Sequence, residues 1–221
     1  IYDNFSARIY PSKACHSSAQ ACSLNHVEFR ENTKVTDFDS NTIYGEWGKE
    51  TASSIIIASG YEGFDFIKSY FPITIGSGVK GQAALIDIDL RDMPQIYANG
   101  IYIVPHSDGT TTIGSTSERN WLEPFNTDYQ LHELIKRAED ICPTIKNAKL
   151  IKKWAGIRPK ARRREPLIGK IPRSDSIYLA MGGFKIGFGI AHEIGISVAD
   201  LIENKPNRLP KSYTIEHHLE K

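Results

Sequence analysis

The chain has 221 residues, of which 40% are hydrophobic and 24% are charged, a composition typical of a globular protein with one large or two small domains. Its net charge of +1 provides no field that would attract nucleic acid or an anionic membrane. No apolar run approaches the roughly 18 residues that a membrane helix needs. Three cysteines form no disulfide framework. We therefore expect a cytoplasmic protein without a membrane span.

Residues 8–75 have the pattern of an α/β segment. Residues 13–24 are predicted to form a helix that places Cys15 and Cys22 on its core face. A metal or redox role for these two cysteines is the alternative. Short strands are predicted at residues 27–29, 33–38, 42–45 and 49–53, the last two as a hairpin around residues 46–48.

Residues 54–60 are predicted to form a buried strand followed by a small turn. Four apolar residues in succession indicate burial on both faces, as in a parallel sheet. The strand ends in Ala58, Ser59 and Gly60, where an open α/β sheet presents its ligand crevice. A plain tight turn explains these three small residues equally well.

The middle of the chain has a more antiparallel pattern. Residues 79–89 are predicted to form a strand, and residues 101–105 and 110–114 a hairpin with Asp108-Gly109 in its turn. Residues 126–138 have the periodicity of an amphipathic helix that ends before Cys142-Pro143.

Residues 150–159 are predicted to form a strand that proline terminates, and Arg158 lies among its apolar residues. A buried arginine needs an anionic partner, either an internal carboxylate or a bound substrate acid. The basic run at residues 160–164 is interpreted as a solvated loop, since nucleic-acid binding requires a broad basic face. The histidines are scattered, and their spacing predicts no metal site.

Residues 177–203 have the pattern of a strand, a glycine-rich turn and a helix. Gly182, Gly183, Gly187 and Gly189 fall where the chain passes from strand to helix. Glycine there lets backbone N–H groups approach an electron-rich ligand at the helix start, although tight packing is the alternative. The segment contains neither a Walker loop nor GxGxxG. The helix itself is expected over residues 191–202.

Three segments in fixed order resemble a known family. They are GIYIVP at residues 100–105 followed by Asp108-Gly109, WAGIRP at 154–159 followed by PLIG at 166–169, and GGFKIG at 182–187. This order resembles the FAD-dependent amine oxidoreductases, the family of D-amino acid oxidase, glycine oxidase, sarcosine oxidase and D-amino acid dehydrogenase. Residues 55–60 and VKGQ at 79–82 also match, so the resemblance covers residues 8–205.

The resemblance implies an α/β (α+β mixed) protein with two domains and a tail. Residues 1–77 and 171–205 would form part of a Rossmann-like FAD-binding domain, and residues 78–170 a D-amino acid oxidase-like substrate-binding domain on a large mixed, mainly antiparallel sheet. Residues 206–221 are expected to be a polar tail that forms a linker and a surface strand or arm. The family's amino-terminal GxGxxG does not occur, and the chain starts with Ile1, so we expect it to be the carboxyl-terminal part of such an enzyme.

The resemblance also assigns roles to residues. Tyr102 and Arg158 would hold the substrate carboxylate, and Lys185, in place of a family arginine, would contact substrate or flavin. The residues expected at FAD are Val35, Ala58, Ser59, Gly60, Gly182, Gly183, Phe184, Lys185, Ile186, Gly187, Phe188 and Gly189.

The implied activity is oxidation of the C–N bond of a small amino acid or amine, with hydride transfer to flavin N5. No residue is assigned as a catalytic base, since a neutral substrate amine needs none. The alternative is a non-catalytic remnant or an assembly subunit that does not retain FAD. A homo-oligomer or a flavoprotein partner subunit is compatible with either interpretation.

Overall fold

The computed structural model describes residues 4, 5 and 7–220. The helices are α1 (Pro11–Leu24), α2 (Gly63–Phe66), α3 (Tyr129–Ile141), α4 (Gly187–Ile202) and α5 (Ile215–Leu219). The strands are β1 (Asp37–Asp39), β2 (Thr42–Gly45), β3 (Gly48–Thr51), β4 (Ile55–Ile57), β5 (Gly76–Asp87), β6 (Ile96–Ala98), β7 (Ile101–Pro105), β8 (Thr111–Gly114), β9 (Lys149–Ala161), β10 (Leu167–Lys170) and β11 (Ile177–Met181).

The chain divides into two compact units. The five-stranded unit comprises Val79–Ile157 together with the described part of residues 1–14, and the two-sheet unit comprises Cys15–Gly78 and the described part of residues 158–221. The two-sheet unit is therefore assembled from two segments, one that precedes residues 79–157 in the sequence and one that follows them. The predicted substrate-binding domain, residues 78–170, shares residues 79–157 with the five-stranded unit.

The five-stranded unit is built on a sheet with the strand order β6-β7-β8-β5-β9. Strands β6, β7, β8 and β5 pair antiparallel, and Ile103 lies opposite Ile113 in the predicted hairpin. Alternate residues of these strands point to one face, where isoleucines pack on Leu131 and Leu134 of α3. The predicted hairpin, the antiparallel character of this segment and the apolar face of the helix are confirmed.

Helix α3 begins at Tyr129, three residues later than predicted, because Asp128 is its N-cap. Asp128 has an extended backbone, and its side chain accepts a hydrogen bond from the Gln130 amide. Such a cap satisfies a backbone donor that the first helical turn leaves without an intrahelical partner. The cap defines where the helix starts, while the apolar periodicity defines only its buried face.

A buried polar cluster joins β5 to the start of α3. Lys80 Nζ lies 3.8 Å from Glu118 Oε2 and 3.4 Å from Asp128 Oδ2. The Gln82 side-chain amide donates to Glu118 at 3.0 Å and to Asp128 at 2.8 Å, and the Thr116 hydroxyl also donates to Glu118. The hydrogen bond from Gln82 is the main reason that the pKa of Asp128 lies below its usual value. The cluster pairs two acids with one buried cation.

The two-sheet unit contains the sheets β1-β2-β3 and β10-β11-β4. Strand β11 pairs antiparallel with β10 and parallel with β4, where Ile177 lies opposite Ile55. The predicted parallel character of β4 is confirmed. The predicted burial of both its faces is wrong: Ile57 is in the core, whereas Ile56, which points to the opposite face, is 49% exposed.

Several predictions for residues 11–53 are corrected. Helix α1 forms, but the predicted core position of Cys15 and Cys22 is wrong, since both are exposed and no described residue of α1 is buried. Residues 27–29 are irregular and exposed rather than a strand, and the strand predicted at 33–38 is limited to β1. The predicted hairpin forms as β2 and β3, closed by the pair Gly45 and Gly48.

Strand β9 continues through Pro159 to Ala161, so the prediction that proline terminates it is wrong. Proline lacks an N–H donor but keeps its carbonyl, which accepts a hydrogen bond from the Phe184 amide at 3.1 Å. A strand can therefore pass through proline where only the carbonyl side is paired.

Residues 206–220 are not the linker and surface strand or arm that their polar composition predicted. They form a short 3₁₀ turn and helix α5, in which the Thr214 hydroxyl accepts a hydrogen bond from the His217 amide. Ile215 is 2% exposed in the core, and His218 is fully buried. The segment is thus a packed part of the two-sheet unit.

Helix α4 packs its predicted apolar face against β10 and β11, where Val198 contacts Ile168 and Tyr178. It begins at Gly187, four residues before the predicted start, because the glycines at 187 and 189 adopt helical geometry. Across the described residues, no helix is both long and apolar enough to cross a membrane.

Candidate functional site

The turn between β11 and α4 depends on Gly182. Its φ of +73° lies in the left-handed region, which glycine adopts without steric cost. A Cβ at this position would lie 2.8 Å from the Ala161 Cβ and 3.2 Å from the Leu167 nitrogen. Tight packing against β9 and β10 therefore accounts for this glycine.

The turn is held against the end of β9. Gly183 forms a β-bridge with Lys160, and the Phe184 amide donates to the Pro159 carbonyl. The Ile186 amide then donates to the Gly183 carbonyl at 2.9 Å. Arg158 precedes these contacts directly in β9 and is partly buried. The structure thus brings the predicted arginine segment and the predicted glycine turn together within the two-sheet unit.

The start of α4 offers backbone N–H groups in an open setting. Ile186 is the N-cap, and no side chain makes a capping hydrogen bond there. Gly187 and Gly189 have open space where a Cβ would point, in contrast to Gly182. The Gly189 amide donates to the Ile186 carbonyl at 3.0 Å, so a ligand would meet the N–H groups of Gly187 and Phe188. These groups and the helix dipole favour an anionic or electron-rich ligand at this end. Lys185 is exposed beside it and adds positive charge.

A cleft of ≈ 480 Å³ in the two-sheet unit brings together Val35, Ala58 and Ser59. Gly60 follows with a φ of +66°, a left-handed conformation that suits glycine. The cleft also has apolar walls that the sequence analysis missed, formed by Phe38, Ile43 and Phe66. Phe38 and Ile43 lie in segments that were predicted to be strands, whereas no element was predicted around Phe66, and no local pattern indicated that the three residues face one cleft.

Tyr102 lies on β7, in the five-stranded unit, with 46% of its surface exposed. The strand register places it in one row with Tyr97, Gly114 and Ala83, on the face opposite α3. The rings of Tyr97 and Tyr102 are 4.4 Å apart and tilted. Gly114 and Ala83 are small, so the row leaves room on one side of the Tyr102 ring. Only the register reveals Tyr97 as its neighbour.

The basic run at residues 160–164 is not the solvated loop that was predicted. Arg162 donates to the backbone carbonyls of His218 and Glu220 at 2.8 and 2.9 Å, and Arg163 donates to the Glu220 carbonyl at 2.8 Å. These arginines bind the end of the chain because its carbonyl groups lie within reach of their guanidinium donors. Within the part of the chain that the structure describes, no cluster of His, Cys, Asp and Glu has the arrangement of a metal site.

The sequence matches the model of the DAO family, FAD dependent oxidoreductase, over residues 1–201. Glycine oxidase of Bacillus subtilis (strain 168) is 29% identical over 203 residues, which cover 89% of this chain and 55% of that protein. The chain is also similar to the crystal structure of glycine oxidase from Geobacillus kaustophilus, with a TM-score of 0.76 and 26% identity, covering 84% of this chain and 52% of that one.

L-proline dehydrogenase from P. horikoshii shares the fold, with a TM-score of 0.82 and 20% identity over 91% of this chain and 57% of that chain. The chain spans about half the length of the curated relatives it matches. These likenesses confirm the mixed α/β flavoenzyme fold and the family resemblance that the motifs predicted. The chain belongs to the DAO family of FAD-dependent oxidoreductases.

Proposed function

We propose that this chain supplies the substrate-binding domain and part of the FAD-binding domain of an enzyme that oxidises the C–N bond of a small amino acid or amine. The proposed flavin segments are residues 1–77 and 171–205, and the proposed substrate-binding segment is residues 78–170. The observation that carries the proposal is the open, glycine-rich start of α4, fastened to the strand that bears Arg158. The glycine oxidase relatives support the class of substrate.

The residues present fit a flavin. The N–H groups at the start of α4 would hold the negative charge of the pyrimidine end of the ring, and Gly187 and Gly189 present no side chain that would keep it away. The cleft with Val35, Ala58 and Ser59 would receive the ADP portion. When bound, FAD supplies a hydride acceptor at N5.

The substrate would be oriented by Arg158 and Tyr102. A guanidinium presents a planar set of donors that matches a carboxylate in a bidentate geometry, and the Tyr102 hydroxyl would donate a further hydrogen bond. Fixing the carboxylate directs the Cα–H of the substrate at the flavin. Lys185 would add positive charge beside the substrate or the flavin. A neutral substrate amine then needs no side-chain base.

Replacing Gly187 with alanine is expected to raise the Kd for FAD by about tenfold, equivalent to roughly 1.4 kcal/mol. The added methyl group would occupy the open space through which the flavin reaches the helix N–H groups. Helix stability should not suffer, since alanine is the better helix former by about 1 kcal/mol. Binding is measured from the visible flavin absorption retained after desalting, over a series of FAD concentrations.

The matched control is Gly195→Ala. Gly195 lies in the same helix and also has open space at its Cβ position, but it is two turns from the proposed flavin. This variant should bind FAD like the unaltered chain. Equal affinity of both variants would contradict the placement of the flavin at the start of α4. A chain that retains no FAD at all would contradict the proposal that these residues hold the flavin without the rest of the FAD-binding domain.

A further inference from the structure

The end of the chain, residues 210–220, folds back onto the loop between β9 and β10 (the strap loop, residues 162–166). This end lies beyond the part of the sequence that matches the family model, which finishes at residue 201. It is nevertheless firmly packed: Thr214 forms a bridge with Ile168, and Ile215 fits over Gly169, where a Cβ would lie 3.4 Å from its side chain. A polar segment has therefore acquired a defined position in the two-sheet unit.

His218 is the centre of this contact. Its Nε2 lies 3.1 Å from the Pro166 carbonyl oxygen, and its Nδ1 lies 3.4 Å from the Arg163 amide nitrogen. A carbonyl only accepts and an amide N–H only donates, so the two contacts require a neutral ring with its hydrogen on Nε2. The ring is fully buried, and these two contacts use both of its nitrogens.

The strap loop is in turn connected to the glycine turn of the candidate site. Ala161, directly before the loop, packs against Gly182 at the distance that excludes a Cβ. Lys160 bridges to Gly183, and the Pro159 carbonyl accepts the Phe184 amide. The contacts thus run from His218 to the loop and from the loop to the turn, all within the two-sheet unit.

We propose that His218 is a positioning residue whose neutral ring fastens the chain end to the strap loop and thereby steadies the Gly182–Phe184 turn, and that protonation of the ring releases the chain end. A proton on Nδ1 would direct an N–H at the N–H of Arg163 and leave both donors facing one another. The charged ring would also be repelled by the guanidinium groups of Arg162 and Arg163, which bind the backbone carbonyls of His218 and Glu220. The proposal goes beyond the proposed function because it requires neither flavin nor substrate.

The charged groups around His218 come from both elements that pack on it. They are Arg162, Arg163 and Glu165 of the strap loop, with His217 and Glu220 of the chain end. Burial is the main cause that lowers the pKa of His218 below its ordinary value of 6.5, and His217 and Arg163 add to it; the hydrogen bond to Pro166 and the carboxylate of Glu165 oppose it.

The sign of the pH dependence follows from this direction. Because the folded chain holds the neutral ring, the stabilisation is complete above about pH 6.5, the unfolded value, and is lost as the pH falls towards the lower folded value. Acidification should therefore loosen the chain end while the rest of the core stays folded. Each unit of pKa depression corresponds to about a tenfold change in the equilibrium.

Amide hydrogen exchange tests the proposal on the whole chain at about pH 7.5 and about pH 5.0, with protection factors corrected for the intrinsic exchange rate. We expect protection of residues 214–220 to fall about tenfold or more on acidification, with a smaller fall at residues 182–186. In His218→Gln the amide can still donate to Pro166 but takes up no proton, so the fall should be under about twofold. His132→Gln, on the exposed face of α3, should behave like the unaltered chain.

Three results would contradict the proposal, each of them independently of flavin binding. Equal protection of residues 214–220 at both pH values in the unaltered chain overturns it, whether or not the glutamine variant folds. The same pH response in His218→Gln as in the unaltered chain assigns the release to another group. A chain end that loosens while residues 182–186 keep their protection overturns the connection to the turn.

Discussion

Arg158→Ala in flavin-loaded protein is expected to lower kcat/KM for an amino acid substrate by about 30-fold to several thousand-fold. The range follows from the roughly 2–5 kcal/mol that a desolvated, hydrogen-bonded charge pair loses when one partner is removed. Arg158 is partly buried on β9, next to the segment that carries the glycine turn. Loss of the guanidinium would leave the substrate carboxylate with the Tyr102 hydroxyl but without its charged partner, and its Cα–H without a fixed direction.

Steady-state kinetics with two control variants separate this role from a general loss of charge. Arg158→Lys keeps the charge but not the planar fork of donors, so it should recover only part of the activity. Lys152→Ala removes a cation from the exposed half of the same strand and should leave kcat/KM unchanged. A normal kcat/KM of Arg158→Ala for an amino acid substrate would contradict the assignment of Arg158 to the substrate carboxylate. An amine substrate without a carboxylate should be oxidised at nearly the same rate by both forms.

The second large effect is on folding. Lys80→Ala is expected to reduce the free energy of unfolding by about 3–5 kcal/mol, the usual cost of leaving a buried charge without its partner. The side chains of Lys80 and Glu118 are 2% and 4% exposed, and Glu118 Oε2 has no hydrogen bond within the described residues. Its carboxylate would remain buried with only the donors of Gln82 and Thr116. Urea titration followed by circular dichroism measures the change.

The control for Lys80→Ala is Lys136→Ala, which removes a lysine that pairs with Glu133 on the surface of α3. Exposed helix pairs contribute about 0.3–0.5 kcal/mol, so this variant should unfold almost like the unaltered chain. Removing both charges with Lys80→Met and Glu118→Gln should recover part of the loss, which a double-mutant cycle reports as coupling. Equal destabilisation by Lys80→Ala and Lys136→Ala would show that the buried pair contributes no more to the free energy of unfolding than an exposed one.

Local pattern was enough to predict the elements whose partners are close in sequence. The hairpins β2–β3 and β7–β8 and the buried face of α3 follow from alternation, turn residues and helical period. The wrong predictions concern whether another element packs on an apolar face of a helix or strand. Cys15 and Cys22 share one side of α1, and Ile56 follows the strand pattern, yet all three are exposed. Periodicity shows that a face is apolar but not that another element packs on it.

The residues of the candidate site also fall into those that a local motif predicted and those that only the structure revealed. The glycine turn could be identified as a motif, but only geometry separates Gly182, which packing requires, from Gly187, which stands in open space. The strand register was needed to find Tyr97 beside Tyr102. The role of His218 rests on a contact with a loop some fifty residues earlier in the chain, and no local signal in the polar tail indicated it.

The parallel pairing of β4 with β11 has a consequence for the order of events on the ribosome. Ile55 is synthesised long before Ile177, the residue beside which it lies in the sheet, and residues 79–157 of the five-stranded unit are made between them. Strands β6, β7 and β8 of that unit pair with their neighbours in the chain, and such contacts close quickly. During synthesis we therefore expect residues 79–157 to fold first. Until β11 is made, the apolar strand β4 lacks its pairing partner and stays exposed. Over that interval the exposed apolar strand makes the nascent chain prone to aggregation, so we expect chaperones to bind it.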